Sequence, residues 1–275
     1  MTTDALKFYP IKGGEVGRAR LAVLSKALAP TTERHLDRAG SLTGLTAVDV
    51  GCGGGDVTFA LARRVGPQGQ VLGIDLDEEK LGWARAEAQA QGFAQVRFET
   101  LNVTQPWPVT GVDLVYARFI LTHLREPQAM LAQALAALKP GGQILVEDID
   151  FPGHFASPEC PALDRYVALY MNLSRRRGGD PSIGRRLELL LETAGYTAIE
   201  TALIQPFGRQ GGAKDILILT FEAIAEGLAA EQLAGGDEIA TIARELKEFA
   251  ARPDTIISMP RIFQAWARKV DTKIP

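Results

Sequence analysis

Between Leu42 and Ile149 the apolar positions follow two alternating rhythms. Short runs rich in β-branched residues, Thr46–Val50, Gln70–Leu76, Val96–Asn102, Val112–Ala117 and Gln143–Ile149, predict strands. Longer stretches with helical spacing lie between them, at Asp56–Val65, Glu78–Gln91 and Pro127–Leu138, the last stopped by Lys139-Pro140-Gly141-Gly142. That alternation predicts an α/β fold with a doubly wound, mostly parallel sheet. The flanks differ. Glu15–Leu28 and Thr32–Ala39 read as two helices parted by Ala29-Pro30, with Val16, Leu21, Val23, Leu24 and Leu28 on one face. Beyond the alternating region, Phe151–Pro161 reads as a loop, and Leu163–Ser174 and Ile183–Ala194 as helices. Thr197–Ile204 and Thr255–Trp266 bring the strand count to seven. Lys214–Ala250 forms a helical insertion before the last strand, in the position of a lid over a binding crevice. The expected division is a helical cap at 1–41, a ligand-binding core at 42–150 and a C-terminal completion of the sheet at 151–275, within one structural domain.

Composition narrows the partners. The 275 residues are 46% hydrophobic and 23% charged, with 30 basic against 33 acidic side chains, so no basic excess favours nucleic acid. Two cysteines, Cys52 and Cys160, and three histidines, His35, His123 and His154, supply neither a disulfide framework nor a four-ligand zinc site. No apolar run is long enough for a membrane span, and the polar start MTTDALKFYP lacks a signal-peptide core. A cytoplasmic protein with no metal is expected.

The segment richest in chemistry is Val48-Asp49-Val50-Gly51-Cys52-Gly53-Gly54-Gly55-Asp56, a glycine turn between a strand and a helix. Open α/β sheets bind ligands at such strand ends. A pyrophosphate on the helix N-terminus would meet two carboxylates, Asp49 and Asp56, whose repulsion the helix dipole, worth ~0.3–1 kcal/mol, hardly offsets. The same acids suit a ligand with an ammonium and a sulfonium. This disfavours a nicotinamide-dependent oxidoreductase, the alternative use of such a turn.

The run Asp49-x-Gly51-x-Gly53-x-Gly55 resembles motif I of the class I S-adenosylmethionine-dependent methyltransferases, and the likeness continues in order to about Ile149. It implies a Rossmann-like methyltransferase fold, S-adenosyl-L-methionine as cofactor and S-adenosyl-L-homocysteine as product. Asp75, in Gly73-Ile74-Asp75-Leu76-Asp77, resembles the acid that binds the ribose hydroxyls, with Leu76 beside it. Asn102 and Val103 stand where the family reads adenine, Asn102 replacing the commoner Asp; its side-chain oxygen is expected to accept from the adenine amino group. Ala117 and Arg118 occupy the position facing the methionine part, and Leu138-Lys139-Pro140-Gly141-Gly142 resembles the turn before strand five. More loosely, Gly14–Leu21 and Asp180–Leu187 resemble a bacterial small-molecule branch whose N-terminal helices and late insertion cap the acceptor. Tyr9, Arg18 and Arg20 are candidates to close over the cofactor, an Arg suiting its carboxylate. Gly51, Cys52, Gly53 and Gly55 form the turn.

Methyl transfer needs an acceptor held in line behind the methyl, and a base only where the acceptor sheds a proton. His123 and His154 follow the fourth and fifth strands and are the candidate bases. Glu147, Asp148 and Asp150 crowd the end of strand five, where they predict a polar pocket wall, a cation site or a raised carboxyl pKa. Arg175-Arg176-Arg177 are candidate anion readers, and Trp107 borders either the adenine or the acceptor, whereas Trp83 and Trp266 suit packing. The acceptor is a small organic molecule methylated at oxygen, nitrogen or carbon, with a homodimer admitted. The alternative within the family is a member that binds the cofactor without transferring methyl.

Overall fold

In the computed structural model, which describes residues 14–271, seven strands form one sheet in the order β3-β2-β1-β4-β5-β10-β7. These are β1 (Thr46–Val50), β2 (Gln70–Asp75), β3 (Val96–Thr100), β4 (Val112–Arg118), β5 (Leu138–Asp150), β7 (Thr197–Ile204) and β10 (Arg261–Arg268). β10 runs antiparallel to both its neighbours, and the other strands run parallel. Because β1 pairs with both β2 and β4, the chain reverses its winding direction there, and Asp49 sits level with Gly73 and Tyr116. The carboxyl ends of β1, β2 and β4 therefore meet around one crevice.

Successive strand residues feed opposite layers. Ala47, Leu114, Tyr116 and Leu145 pack against α2 (Asp56–Val65), whereas Val48, Val50, Val115 and Val146 pack against α4 (Pro127–Ala137) and α6 (Leu187–Thr193). Full burial of each Val or Leu contributes roughly 1.5–3 kcal/mol, so this alternation fixes the strand register. The remaining helices are α1 (Gly14–Asp37), α3 (Glu78–Ala90), α5 (Pro161–Arg176), α7 (Gly212–Ala230) and α8 (Gly236–Ala251). Apolar residues of α1, α5, α7 and α8 form a separate core above the crevice, including Leu24, Leu28, Tyr166, Leu217, Phe221 and Leu246.

Several expectations are corrected. The two N-terminal helices are one, α1, which runs through Pro30. Proline removes a single backbone donor, and Leu24 and Leu28 before it and Thr32, His35 and Leu36 after it are all buried, so packing on both sides outweighs the break. Thr255–Trp266 is divided: β9 (Ile256–Ser258) joins a small sheet with β6 (Ala156–Ser157) and β8 (Phe207–Gly208), and β10 begins after Pro260. Pro260 has no N–H to offer a ladder, and the chain changes sheets there. The supposed loop Phe151–Pro161 thus holds a 3-10 turn, Phe151–Gly153, and strand β6. Ile183–Ala194 likewise splits into a 3-10 turn, Ile183–Arg186, and α6. Strand β5 starts at Leu138, so Lys139–Gly142 lies inside it, accommodated by a register shift against β4 and a left-handed Gly141, φ 75°. Among the described residues no helix is long and apolar enough to cross a membrane.

Candidate cofactor and acceptor site

A cavity of about 570 Å³ opens over the meeting strand ends, within the size range of small-molecule sites. Its floor at one end is the glycine turn. Gly51 has φ 67°, and a Cβ there would lie 2.9 Å from Ile120 Cδ1, so both conformation and space demand glycine. The N–H groups of Gly51 and Cys52 donate to the Ile74 carbonyl, at 2.8 and 3.1 Å, which ties the turn to β2. Gly53 N–H donates to Asp75 Oδ2 and Asp77 N–H to Asp75 Oδ1, both at 2.9 Å. Each carboxylate oxygen keeps a lone pair for the cavity, so Asp75 is pre-oriented to accept from two ligand donors. Asp77 instead caps α3, accepting from the N–H groups of Glu79 and Lys80.

Asp49 is buried and accepts from Thr58 Oγ1 at 2.6 Å. Burial, with Asp56 and Asp75 nearby and only partly countered by that hydrogen bond, lifts its pKa to about 7. Asp56 pairs with Arg118 at 2.5 Å, and Arg118 also donates to Thr32 Oγ1 at 3.2 Å. Arg20, only 9% exposed, reaches from α1 to α7, where its Nε donates to Thr220 Oγ1 at 3.0 Å. It lines the cavity and has no carboxylate partner among the described residues.

Of the proposed cofactor residues, Asp49, Gly51, Cys52, Gly53, Asp75, Leu76, Asn102, Val103, Arg118 and Arg20 line this one cavity. Gly55 and Ala117 do not: Gly55 caps α2 at φ 86°, and Ala117 is sealed in the sheet core. Tyr9 lies outside the described residues. Asn102 is present in a different role from that expected. Its Oδ1 accepts from both the N–H and the hydroxyl of Thr104, at 3.2 and 2.9 Å, and a backbone N–H can only donate, so the amide NH2 is what remains for a ligand. Trp107 donates to the Val103 carbonyl and packs in the sheet core, away from the cavity. Arg18 lies over Trp83, and Arg176 and Arg177 bind Glu231, so neither group lines the cavity.

The strand-five acids are structural. Glu147 accepts from Tyr116, from Gln264 at 2.8 Å and from Thr32 at 3.3 Å. Asp148 accepts from the N–H groups of Thr122 and Ile149, and burial lifts its pKa to about 7. Asp150 is enclosed by Arg185 and Arg261, at 2.7 and 2.8 Å. None of the three lines the cavity, so the expected polar wall is absent and only the raised carboxyl pKa is found.

Residues 42–176 match the model of a methyltransferase domain. A demethylmenaquinone methyltransferase of Lactococcus lactis is 32% identical over 120 residues, 43% of this chain and 48% of that protein. A ubiquinone biosynthesis O-methyltransferase of Methylococcus capsulatus is 34% identical over 128 residues, 45% and 52% of the two chains. The chain spans about half the length of these curated relatives. A solved SAM-dependent methyltransferase from Aquifex aeolicus shares the fold, with a TM-score of 0.53 and 18% identity over 87% of this chain and 89% of its own. Residues 42–176, just under half of the chain, are thus similar to a methyltransferase domain, on a sheet of the same fold.

Both candidate histidines line the cavity. Burial, with Arg20 and Lys80 close by, depresses His123 to about 3. Burial also holds His154 near 4, although Asp150 and the Phe151 carbonyl favour its charged form. Both imidazoles are neutral at pH 7. Sequence reasoning missed much of the opposite wall: Phe119, Phe151, Tyr166, Tyr170, Ile216, Leu217 and Met259. Phe119 carries a signal visible only in the backbone, a φ of 54° immediately after β4, held by its N–H donating to the Glu147 carbonyl at 2.9 Å.

Proposed function

We propose that this protein transfers the methyl group of S-adenosyl-L-methionine to a small organic acceptor in the cytoplasm. The observation that carries the reading is Asp75: a carboxylate clamped by Gly53 and Asp77 N–H groups at the edge of the cavity, beside a glycine turn that admits a ligand close to the backbone. The donor set fits the cofactor. Asp75 suits the ribose hydroxyls, Asn102 and Val103 the adenine, Asp49 the ammonium, and Arg20, which has no carboxylate partner among the described residues, the carboxylate. When bound, the cofactor supplies a methyl already activated by a sulfonium, so the protein's work is to hold the acceptor in line and exclude water. Residues 1–41 act as the cap, 42–150 bind the cofactor, and 151–275, through α7 within the 214–250 lid, select the acceptor. Two buried free cysteines agree with a reducing compartment.

Titration calorimetry tests the reading. The protein binds S-adenosyl-L-methionine in preference to nicotinamide dinucleotides, and Asp75→Ala weakens it about 10- to 100-fold, the worth of hydrogen bonds to a charged group. Unchanged affinity in that variant, or preference for the dinucleotide, overturns it. Tight binding without labelled-methyl transfer to any acceptor favours a non-methylating family member.

A further inference from the structure

The acceptor end of the cavity has a definite chemistry. Phe151 and Tyr170 stack at 3.6 Å with their planes 10° apart, and Tyr166 meets Phe151 edge-on at 5.6 Å. His154 meets the same Phe151 ring at 4.6 Å. All four line the cavity. Such a wall suits a flat conjugated ring, which gains both apolar burial and ring contacts. An ammonium acceptor finds no counter-ion from β5, because Glu147, Asp148 and Asp150 are each bound elsewhere.

His154 gives this wall a direction. Its Nδ1 lies 2.8 Å from the Phe151 carbonyl. A carbonyl only accepts, so Nδ1 carries the proton and Nε2 bears the lone pair. Nε2 bonds no described residue. A basic nitrogen of fixed tautomer therefore stands in the aromatic wall of the cavity.

We propose that the acceptor is a hydroxyl on a flat aromatic ring, packed against Phe151 and Tyr170, and that His154 Nε2 takes the hydroxyl proton during transfer. The inference rests on the methyl-transfer reading and deepens it. The oxygen lone pair forms the O–CH3 bond as the C–S bond breaks, with that bond's electrons passing to sulfur. The O–H bond breaks and its proton moves to Nε2, giving an imidazolium that later releases it to solvent. Nε2 need not ionise the free hydroxyl. Positive charge grows on the oxygen as the new bond forms, and the proton becomes acidic enough for a weakly basic imidazole. The Phe151 carbonyl and the nearby Asp150 stabilise the resulting cation.

Three probes test this: 2-naphthol, its methyl ether 2-methoxynaphthalene, and 2-naphthylmethylamine, a cation at neutral pH. With the protein saturated in S-adenosyl-L-homocysteine, calorimetry is expected to show 2-naphthol binding at least tenfold more tightly than the ether or the amine. That comparison needs no variant. His154→Ala abolishes the discrimination between naphthol and ether while leaving cofactor affinity unchanged, which also certifies its fold. Labelled-methyl transfer to 2-naphthol is about 100-fold slower in the variant, within the usual worth of a positioned base. Between pH 6 and 8 the wild-type rate is flat, whereas the variant's rises about tenfold per pH unit as free naphtholate forms. Preference for the amine, no binding of naphthol, or a flat profile in His154→Ala overturns the proposal. Failure of the cofactor itself to bind overturns the underlying reading instead.

Discussion

At the scale of single residues, Asp49 shows how burial converts a carboxylate into a sensor of its ligand. Its pKa of about 7 leaves it roughly half protonated in neutral solution. A ligand ammonium beside it favours the charged form, so binding expels a proton. Calorimetry of S-adenosyl-L-methionine binding in buffers of different ionisation enthalpy is expected to show release of part of a proton at pH 7 that is lost in Asp49→Asn. Buffer-independent heats at pH 7 would refute this role. Asp49, Gly51, Gly53 and Asp75 were legible in the sequence because they are adjacent or lie one βα unit apart, so local order brings them together. Tyr166, Tyr170, Leu217 and Thr220 were not, because they belong to helices that read only as apolar faces. Nothing local says that those faces close over β1. Asn102 was legible as a site residue, but its orientation depends on Thr104, two positions on.

At the scale of elements, the strands and helices between Leu42 and Ile149 were readable to within one or two residues, apart from the start of β5 at Leu138, because two periodicities alternate there without conflict. Disagreement arose where one proline competes with packing. Pro260 does end a strand, because the two segments beside it join different sheets. Pro30 does not end α1, whose buried residues continue on both sides and whose Thr31 hydroxyl returns a hydrogen bond to the Leu28 carbonyl at 2.8 Å. Pro30 itself is exposed, so it contributes little packing to offset a missing donor. Pro30→Ala is therefore expected to stabilise the protein by about 1–3 kcal/mol, up to the intrinsic helix-interior difference between the two residues. Urea unfolding monitored by circular dichroism measures it. A lower midpoint would mean that a bend at Pro30 is needed to seat α1 against α7.

At the scale of the whole molecule, the near balance of acids and bases conceals buried groups that pull in opposite directions with pH. His35, His123 and His154 are held near 4, 3 and 4 by burial, so their contribution is complete above the unfolded value of 6.5 and is lost as pH falls below it. Asp49 and Asp148 are raised from 3.8 to about 7, so theirs is present at low pH and lost as pH rises through 7. Between pH 4 and 6.5 the unfolded chain takes up three histidine protons while the native state retains two on the aspartates. The difference of one proton makes stability climb with pH by up to ~1.4 kcal/mol per unit. Above 6.5 the histidine contribution levels off, gaining about 1 kcal/mol more, while deprotonation of the two buried aspartates costs about 1–2 kcal/mol by pH 8, so the net fall is shallow. Without ligand, the stability maximum is therefore expected near pH 6.5. Urea midpoints at pH 5, 6.5 and 8 locate it, and Asp49→Asn, which leaves one retained aspartate proton against three histidine protons, is expected to steepen the acid limb to at most ~2.7 kcal/mol per unit and to halve the aspartate loss at alkaline pH. A steady rise from pH 5 to 8 would show that neither aspartate resists ionisation. The same buried Asp49 that weakens the empty protein above pH 7 is then the group that a cationic ligand relieves, so added S-adenosyl-L-methionine is expected to raise the midpoint more at pH 8 than at pH 6.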